Sequence, residues 1–480
     1  MRKILKTVAS YLLDRTIFKF LFVMTMLLIT VPYINDKIRI ISFLTCLHGF
    51  IIIGYELFNG KLKETLSTTK TVLLLGGFSA AYLFTILINK TNIINGFKGL
   101  FFMILLFVMF FLFPKDYTKE KVTKEIKLVS VEFISITFIY SLISLILYLF
   151  SISGKYVTST SYEAYYGMHE SRLWGIYNPN TSATLTVVSI VLSLAFIVIS
   201  KRKRFIIPLI LNVLLQFSVL LLTGSRAGLY VMAAATAFSV FMAFICLFKK
   251  FNFATASISF SCAVVSIVIF LAVGVLIKEG LAYLPSLTNT VVSLAVKEPE
   301  NTQGNSSEKP TTIDKVDLNR IEGDELHEQS MFANRIDIWN ACFAEFLEAP
   351  IFGVGRDNIF DRAIENLDDD KWNYHFKYGN THNVYLCVLV SSGIIGFLLI
   401  GSFAVVTVSR SIKTIFKTYK KINILFLASF MICMMLYANE FVESRILYKV
   451  GIYGTVFWMY CGYMYKLSKI EIENSEQLMP

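Results

Sequence analysis

The chain has 480 residues, 55% of them hydrophobic and only 16% charged, against roughly a quarter charged in an average soluble domain. With a mean hydropathy of +0.62, that composition excludes a soluble protein built around one core. The formal net charge of +11 would suggest nucleic acid in a soluble chain. Here the lysines and arginines gather between apolar blocks, so membrane topology accounts for them and a polyanionic partner does not.

The apolar blocks run for roughly 17–25 residues, the length set by a hydrocarbon layer ~30 Å thick. Backbone in lipid must satisfy its own hydrogen bonds, so each block reads as a helix. Spans are predicted near 17–33, 38–57, 71–88, 97–113, 128–150, 178–199, 205–222, 227–248, 254–277, 383–408, 422–439 and 446–465. No small-residue cleavage site follows the first run, so it reads as a retained helix. With the N-terminus inside, Arg2, Lys3, Lys6, Arg15 and Lys19 face the cytoplasm. So do Lys61, Lys63, Lys70, the cluster from Lys115 to Lys127, the run from Lys201 to Arg204, Lys249-Lys250, and the cluster from Arg410 to Lys421. The alternating loops are poor in Lys and Arg, so an even helix count and the positive-inside rule agree, and both termini are expected in the cytoplasm. The seven cysteines, at 46, 246, 262, 342, 387, 433 and 461, are scattered. They read as small apolar residues and not as a disulfide or metal framework.

Two outer segments stand out by length, 151–177 and about 278–382. Within the second, the stretch 297–312 is polar and punctuated by Pro299, Gly304 and Pro310, which reads as a flexible linker. Over 329–348 the pattern changes. Ile336, Trp339, Phe343, Phe346 and Leu347 recur at three- and four-residue spacings, predicting an amphipathic helix that stops before Ala349-Pro350. Gly353-Val354-Gly355 then supplies a flexible turn. The expected fold class is an all-α polytopic membrane protein of about twelve transmembrane helices with a large, partly helical extracytoplasmic loop. Residues 1–277 would hold nine spans, 278–382 the loop, and 383–480 the last three spans and a cytoplasmic tail.

Several polar residues have a plain reading beside a functional one. Arg226, in Leu222-Thr223-Gly224-Ser225-Arg226-Ala227-Gly228, is either a snorkelling interfacial arginine or one serving a water-filled cavity. Arg335, four residues before Trp339, reads most simply as a solvated helix charge. His382, in Thr381-His382-Asn383-Val384-Tyr385-Leu386, sits where the outer loop re-enters the membrane and is either structural or a base. Glu440, Glu443 and Arg445 lie in the last outer connection, as a local ion pair or as groups that assist the base. Arg172 follows the aromatic run Tyr165-Tyr166-Gly167, where a sugar or a phosphate would find it. His375 with Asp368, Asp369 and Asp370 imitates a metal site, but the spacing matches no ligand pattern and reads as a solvated acidic turn.

The order of these signals carries more than any one of them. Asn178-Pro179-Asn180, Gly224-Ser225-Arg226, Arg335-x-x-x-Trp339, Pro350-Ile351-Phe352-Gly353-Val354-Gly355, His382-Asn383-x-Tyr385-Leu386 and Gly393-Ile394-Ile395-Gly396 together resemble the O-antigen ligase and polymerase superfamily, over roughly residues 175–400. The resemblance implies a metal-independent, inverting glycosyltransferase without a cofactor, working at the outer face of the bacterial cytoplasmic membrane. Its donor would be a polyprenyl-pyrophosphate-linked oligosaccharide. A flippase and a chain-length regulator are the candidate partners besides the bilayer. Carried over residue by residue, the resemblance makes Arg226 and Arg335 the groups that hold the donor pyrophosphate and His382 the group that acts at the acceptor.

The chemistry suits these residue types independently. Guanidinium groups make bidentate, permanently charged contacts to phosphate oxygens. Fixed cations also favour the charge that grows on a departing pyrophosphate. An imidazole near neutral pKa can take the proton of an incoming sugar hydroxyl. Nucleotide sugars and ATP are cytoplasmic, so an outward-facing enzyme needs a donor delivered already activated, and a lipid pyrophosphate meets that need. A transporter would place ionisable groups at the bilayer midplane in matching halves, and few such charges and no such halves are seen. A scaffold would not need Arg226, Arg335 and His382 on one side. Heavy use of Ile, Phe, Lys, Asn and Tyr points to an AT-rich genome, which favours a capsule or exopolysaccharide polymerase over a ligase.

Overall fold

The computed structural model describes residues 11–66, 69–249, 251–295, 314–318, 333–364 and 381–477. The predicted linker 297–312 and the acidic turn Asp368–Asp370 with His375 lie outside these. Each predicted apolar run coincides with a helix. Among the described residues nine helices are long and apolar enough to cross a membrane: Pro32–Phe58, Lys70–Asn89, Ile93–Phe111, Lys119–Leu149, Pro179–Ile199, Lys203–Leu222, Arg226–Phe248, Phe253–Val291 and Val384–Lys421. Helices Arg15–Leu28 and Ile424–Asn439 have 14 and 16 residues, short of the ~20 that span hydrocarbon. Helix Ile452–Gln477 carries Lys466, Lys469, Glu471 and Glu473 in its second half. The chain is thus a multi-pass helical membrane protein in which nine of the twelve predicted helices have the dimensions of a span.

The chain divides into two compact units. The first comprises Met1–Thr30, Ile38–Glu132 and Asp324–Pro480. Its centre holds two buried ion pairs. Arg15 meets Glu56 through Nε (2.7 Å) and Nη2 (2.5 Å). Its Nη1 also donates to the carbonyls of Val108 (3.0 Å) and Leu112 (2.7 Å). Those carbonyls lie within and just after a π-helical turn, Phe107–Phe111, which interrupts the ordinary ladder and leaves acceptors for the guanidinium. Lys19 Nζ meets Glu125 at 2.6 Å and lies over the Phe113 ring, 4.1 Å from its centroid. Arg15 and Lys19 were expected among the cytoplasmic charges. Both are buried and neutralised by carboxylates more than forty residues away in sequence, so their charge does not speak for topology on either side.

Helix Val384–Thr418 is kinked at Gly393, whose φ of 62° and ψ of −171° break it. The turn at Gly353–Gly355 docks against that kink. Val354 N donates to Val390 O at 2.9 Å and Gly355 N to Ser391 O at 3.1 Å, while Ile394 N donates to Pro350 O at 2.8 Å. A Cβ on Gly353 would lie 2.5 Å from Val390 O, and one on Gly393 2.2 Å from Ile351 O. The two glycine motifs therefore serve close backbone approach.

The predicted amphipathic helix is observed as Ala333–Glu348, but its buried face is not the predicted one. Ile338, Ala341, Cys342 and Glu345 are buried, while Ile336, Phe343 and Leu347 are exposed. The helix packs on Val384–Thr418, where close approach favours small side chains over bulky ones.

The second unit comprises Val31–Lys37 and Phe133–Gly323. Here the all-α expectation is corrected by a three-stranded antiparallel sheet of β1 (Gly154–Val157), β2 (Glu163–His169) and β3 (Arg172–Gly175), in that order. β1 carries Tyr156 and β2 carries Tyr165 and Tyr166, residues that pack well on a pleated surface. Between β2 and β3, Glu170 and Ser171 both have positive φ, 50° and 54°, the geometry of a two-residue hairpin turn. Asp36 fastens the sheet within this unit by accepting from Tyr156 Oη at 2.6 Å.

Candidate functional site

In the second unit, three of the motifs read from the sequence meet. Asn178 caps helix Pro179–Ile199, and Ser225 caps helix Arg226–Phe248. Gly228 lets the two helices close on each other, since a Cβ there would lie 2.7 Å from that of Ala183. Arg172, carried on β3, ties the ends together: its Nε donates to Thr223 O at 2.9 Å and its Nη2 to Asn180 Oδ1 at 2.8 Å. Arg226 is the first residue of its helix and half-buried. Arg172 and Arg226 thus belong to one cationic end of this unit, beside a helix N-terminus whose N–H groups also favour anions. On the sheet, the Tyr165 and His169 rings stack with centroids 3.6 Å apart.

The first unit gathers the other predicted residues. Asn383 caps helix Val384–Thr418, and His382 precedes it with a left-handed φ of 49°, uncommon for a residue with a bulky side chain. Trp339 Nε1 donates to Thr381 O at 3.0 Å, which anchors helix Ala333–Glu348 beside His382. Arg335 lies one turn before Trp339 on that helix. Val384 N donates to Glu440 O at 3.0 Å, bringing in the last connection. His382 Nδ1 then faces Glu443 Oε2 at 3.8 Å, and Arg445 Nε meets the same oxygen at 3.0 Å. The predicted local ion pair of Glu443 and Arg445 is therefore present, with the histidine on its other side.

Glu440 is fully buried. Its Oε2 accepts from Arg445 N at 2.8 Å, while among the described residues its Oε1 has no hydrogen-bond partner. Burial pushes its carboxyl up to about 8, so at neutral pH it holds a proton, beside the contact of Glu443 with Arg445. An imidazole that accepts a proton here would gain a positive charge facing a carboxylate, an arrangement that favours general base action.

Residues that sequence reasoning missed lie at 446–451, read as the start of the last span. The structure begins that helix at Ile452. Trp458 Nε1 instead donates to Ile446 O at 2.9 Å, and Tyr448 adopts a φ of 62°. The charges Glu443, Arg445 and Lys449, spaced two and four apart, were the signal against a buried helix start.

Among the described residues no group of three or more His, Cys, Asp and Glu side chains could hold a metal ion. None of the curated proteins compared with the chain matches it. Residues 211–401 match the family described as O-antigen ligase. Arg226, Arg335 and His382 fall inside the matched segment, and Arg172, Glu440, Glu443 and Arg445 outside it. That match, joined to the multi-pass helical build, supports membership of the O-antigen ligase superfamily.

Proposed function

We propose that the protein is a polysaccharide polymerase that joins polyprenyl-pyrophosphate-linked oligosaccharide repeat units at the outer face of the bacterial cytoplasmic membrane. The observation that carries this reading is the grouping of His382, Glu443 and Arg445 beside the Trp339–Thr381 bond, in a chain whose family handles lipid-linked glycans. The acceptor sugar hydroxyl attacks the anomeric carbon of the donor. A new glycosidic C–O bond forms with inversion, the anomeric C–O bond to pyrophosphate breaks, and the electron pair leaves with the polyprenyl pyrophosphate. The hydroxyl proton passes to His382, whose imidazolium Glu443 stabilises. Arg226 and Arg335 meet the charge on the leaving group, with Arg172 as an accessory cation. Glu440, holding its proton, keeps the connection folded against the start of helix Val384–Thr418.

The family match covers ligases by description, and a ligase would hand the same donor to another acceptor. Purified protein supplied with polyprenyl-pyrophosphate-linked repeat units alone separates the two. A polymerase converts them into a ladder of longer lipid-linked chains. Transfer that starts only when a different acceptor is added would assign the protein to the ligases.

A further inference from the structure

Helix Ala333–Glu348 leaves an apolar stripe uncovered. Ile336, Phe343 and Leu347 share one face and are exposed, Leu347 by 64%, and Ile351 just beyond the helix is exposed by 56%. Hydrogen bonds fix where this stripe lies. Near its start, Trp339 Nε1 donates to Thr381 O at 3.0 Å, just before helix Val384–Thr418 begins. Past its end, Pro350 O accepts from Ile394 N at 2.8 Å, ten residues after Val384. The helix therefore descends alongside the first turns of Val384–Thr418. The turn that follows meets a second span. Phe352 O accepts from Thr85 Oγ1 at 2.5 Å and Gly353 O from Asn89 Nδ2 at 3.1 Å. Thr85 is four residues inside the Asn89 end of helix Lys70–Asn89, so the turn sits about 6 Å below the end of that span.

The bonding of the turn suits that depth. Besides the bonds of Val354 N and Gly355 N to the kinked helix, Gly353 N donates to Ala349 O at 2.9 Å and Val354 O accepts from Asn358 Nδ2 at 2.8 Å. Irregular backbone at membrane depth is tolerated where protein encloses it in this way. The stripe is also continuous with the apolar outer surface of the neighbouring spans. The Phe352 ring meets Phe84 edge-on, centroids 4.7 Å apart, and Phe84, Ile394 and Leu398 are themselves exposed on spanning helices. Asp337 and Glu348 each follow a stripe residue by one position, about 100° round the helix, so the acidic edge stands aside from the apolar one.

We infer that residues 333–355 form a shallow re-entrant hairpin, and that Phe343, Leu347 and Ile351 seat it among the bilayer lipids of the leaflet on the Val384 side. Amphipathic helices bury their apolar face ~5–10 Å into the boundary between headgroups and acyl chains, which is the depth the turn reaches. Because Trp339 on the same helix holds Thr381 O, the seat also sets the height of His382 relative to that leaflet. The inference needs neither a glycan donor nor a transfer step.

The test uses full-length protein in phosphatidylcholine nanodiscs, without donor, carrying a nitroxide at Asp337→Cys, Phe343→Cys or Leu347→Cys. Wild type taken through the same labelling supplies the baseline from the native cysteines. Two collision partners report the surroundings: oxygen, which partitions into lipid, and nickel(II) ethylenediaminediacetate, which stays in water. The ratio of oxygen to nickel collisions should rise severalfold from Asp337→Cys to Phe343→Cys, and again to Leu347→Cys. Nickel access at Leu347→Cys equal to that at Asp337→Cys overturns the seat, because the stripe would then stand in water. Labels at Phe343→Cys and Leu347→Cys shielded from both reagents overturn it as well, since protein, from this chain or a second copy, would then cover the stripe.

Discussion

At the scale of single residues, the last connection works because its acidic side chains differ in what they are asked to hold. Glu443 lies between Arg445 and His382, whereas Glu440, enclosed and donated to only by backbone, keeps its proton. The sign of the resulting pH dependence follows. The Glu440 carboxyl is pushed up to about 8 in the folded protein, above its unfolded value. Its contribution to stability is therefore fully present below the ordinary carboxylate range, shrinks as pH rises, and levels off above about 8. Glu440→Gln imitates the protonated form. Thermal unfolding of detergent-purified protein from pH 5 to 9 should show a steeper decline in wild type than in Glu440→Gln, and parallel curves would remove Glu440 from this account.

At the scale of elements, the same chain shows why some features were legible and others were not. The block length of apolar runs is dictated by the bilayer, so helices such as Pro179–Ile199 and Arg226–Phe248 could be read within a few residues. The partners of those helices could not. Arg15 and Lys19 looked like ordinary flanking charges because Glu56 and Glu125 are distant in sequence, and nothing local announces a buried pair. Helix Ala333–Glu348 was placed correctly but turned the wrong way, because hydrophobic periodicity reports which side is apolar and close helix packing selects small residues. The sheet at 154–175 lies in the outer segment 151–177, which the sequence reading distinguished only by its length and its aromatic run, although Tyr156, Tyr165 and Tyr166 in the first two strands carried a β signal. The buried pairs make a prediction of their own. Glu56→Gln should destabilise the protein by roughly 3–5 kcal/mol, since it strands a buried guanidinium, and Arg15→Met with Glu56→Leu should cost less. Equal losses of thermal stability in the single and double variants would contradict a paired core.

At the scale of the whole molecule, the account needs the loop 278–382 outside and both termini inside, which the remaining clusters of Lys and Arg motivate. Reporter fusions after Lys421 and within 300–310 should report inside and outside respectively, and an outside signal at Lys421 would reverse the topology. The orientation matters because only an outward-facing His382 could act on a donor already carried across the membrane. The central claim is that His382 takes the acceptor proton during transfer from a lipid pyrophosphate. A general base contributes typically ~10²–10⁴-fold to rate, whereas a residue that only shapes the loop changes abundance or folding. The most direct measurement is single-turnover transfer by purified wild type and His382→Ala, with synthetic polyprenyl-pyrophosphate-linked donor across pH 5.5–9. The account predicts a variant that accumulates normally and binds donor, yet transfers about a hundredfold or more slowly and has lost the rising limb of the pH profile. Near-wild-type turnover with an unchanged profile would contradict it.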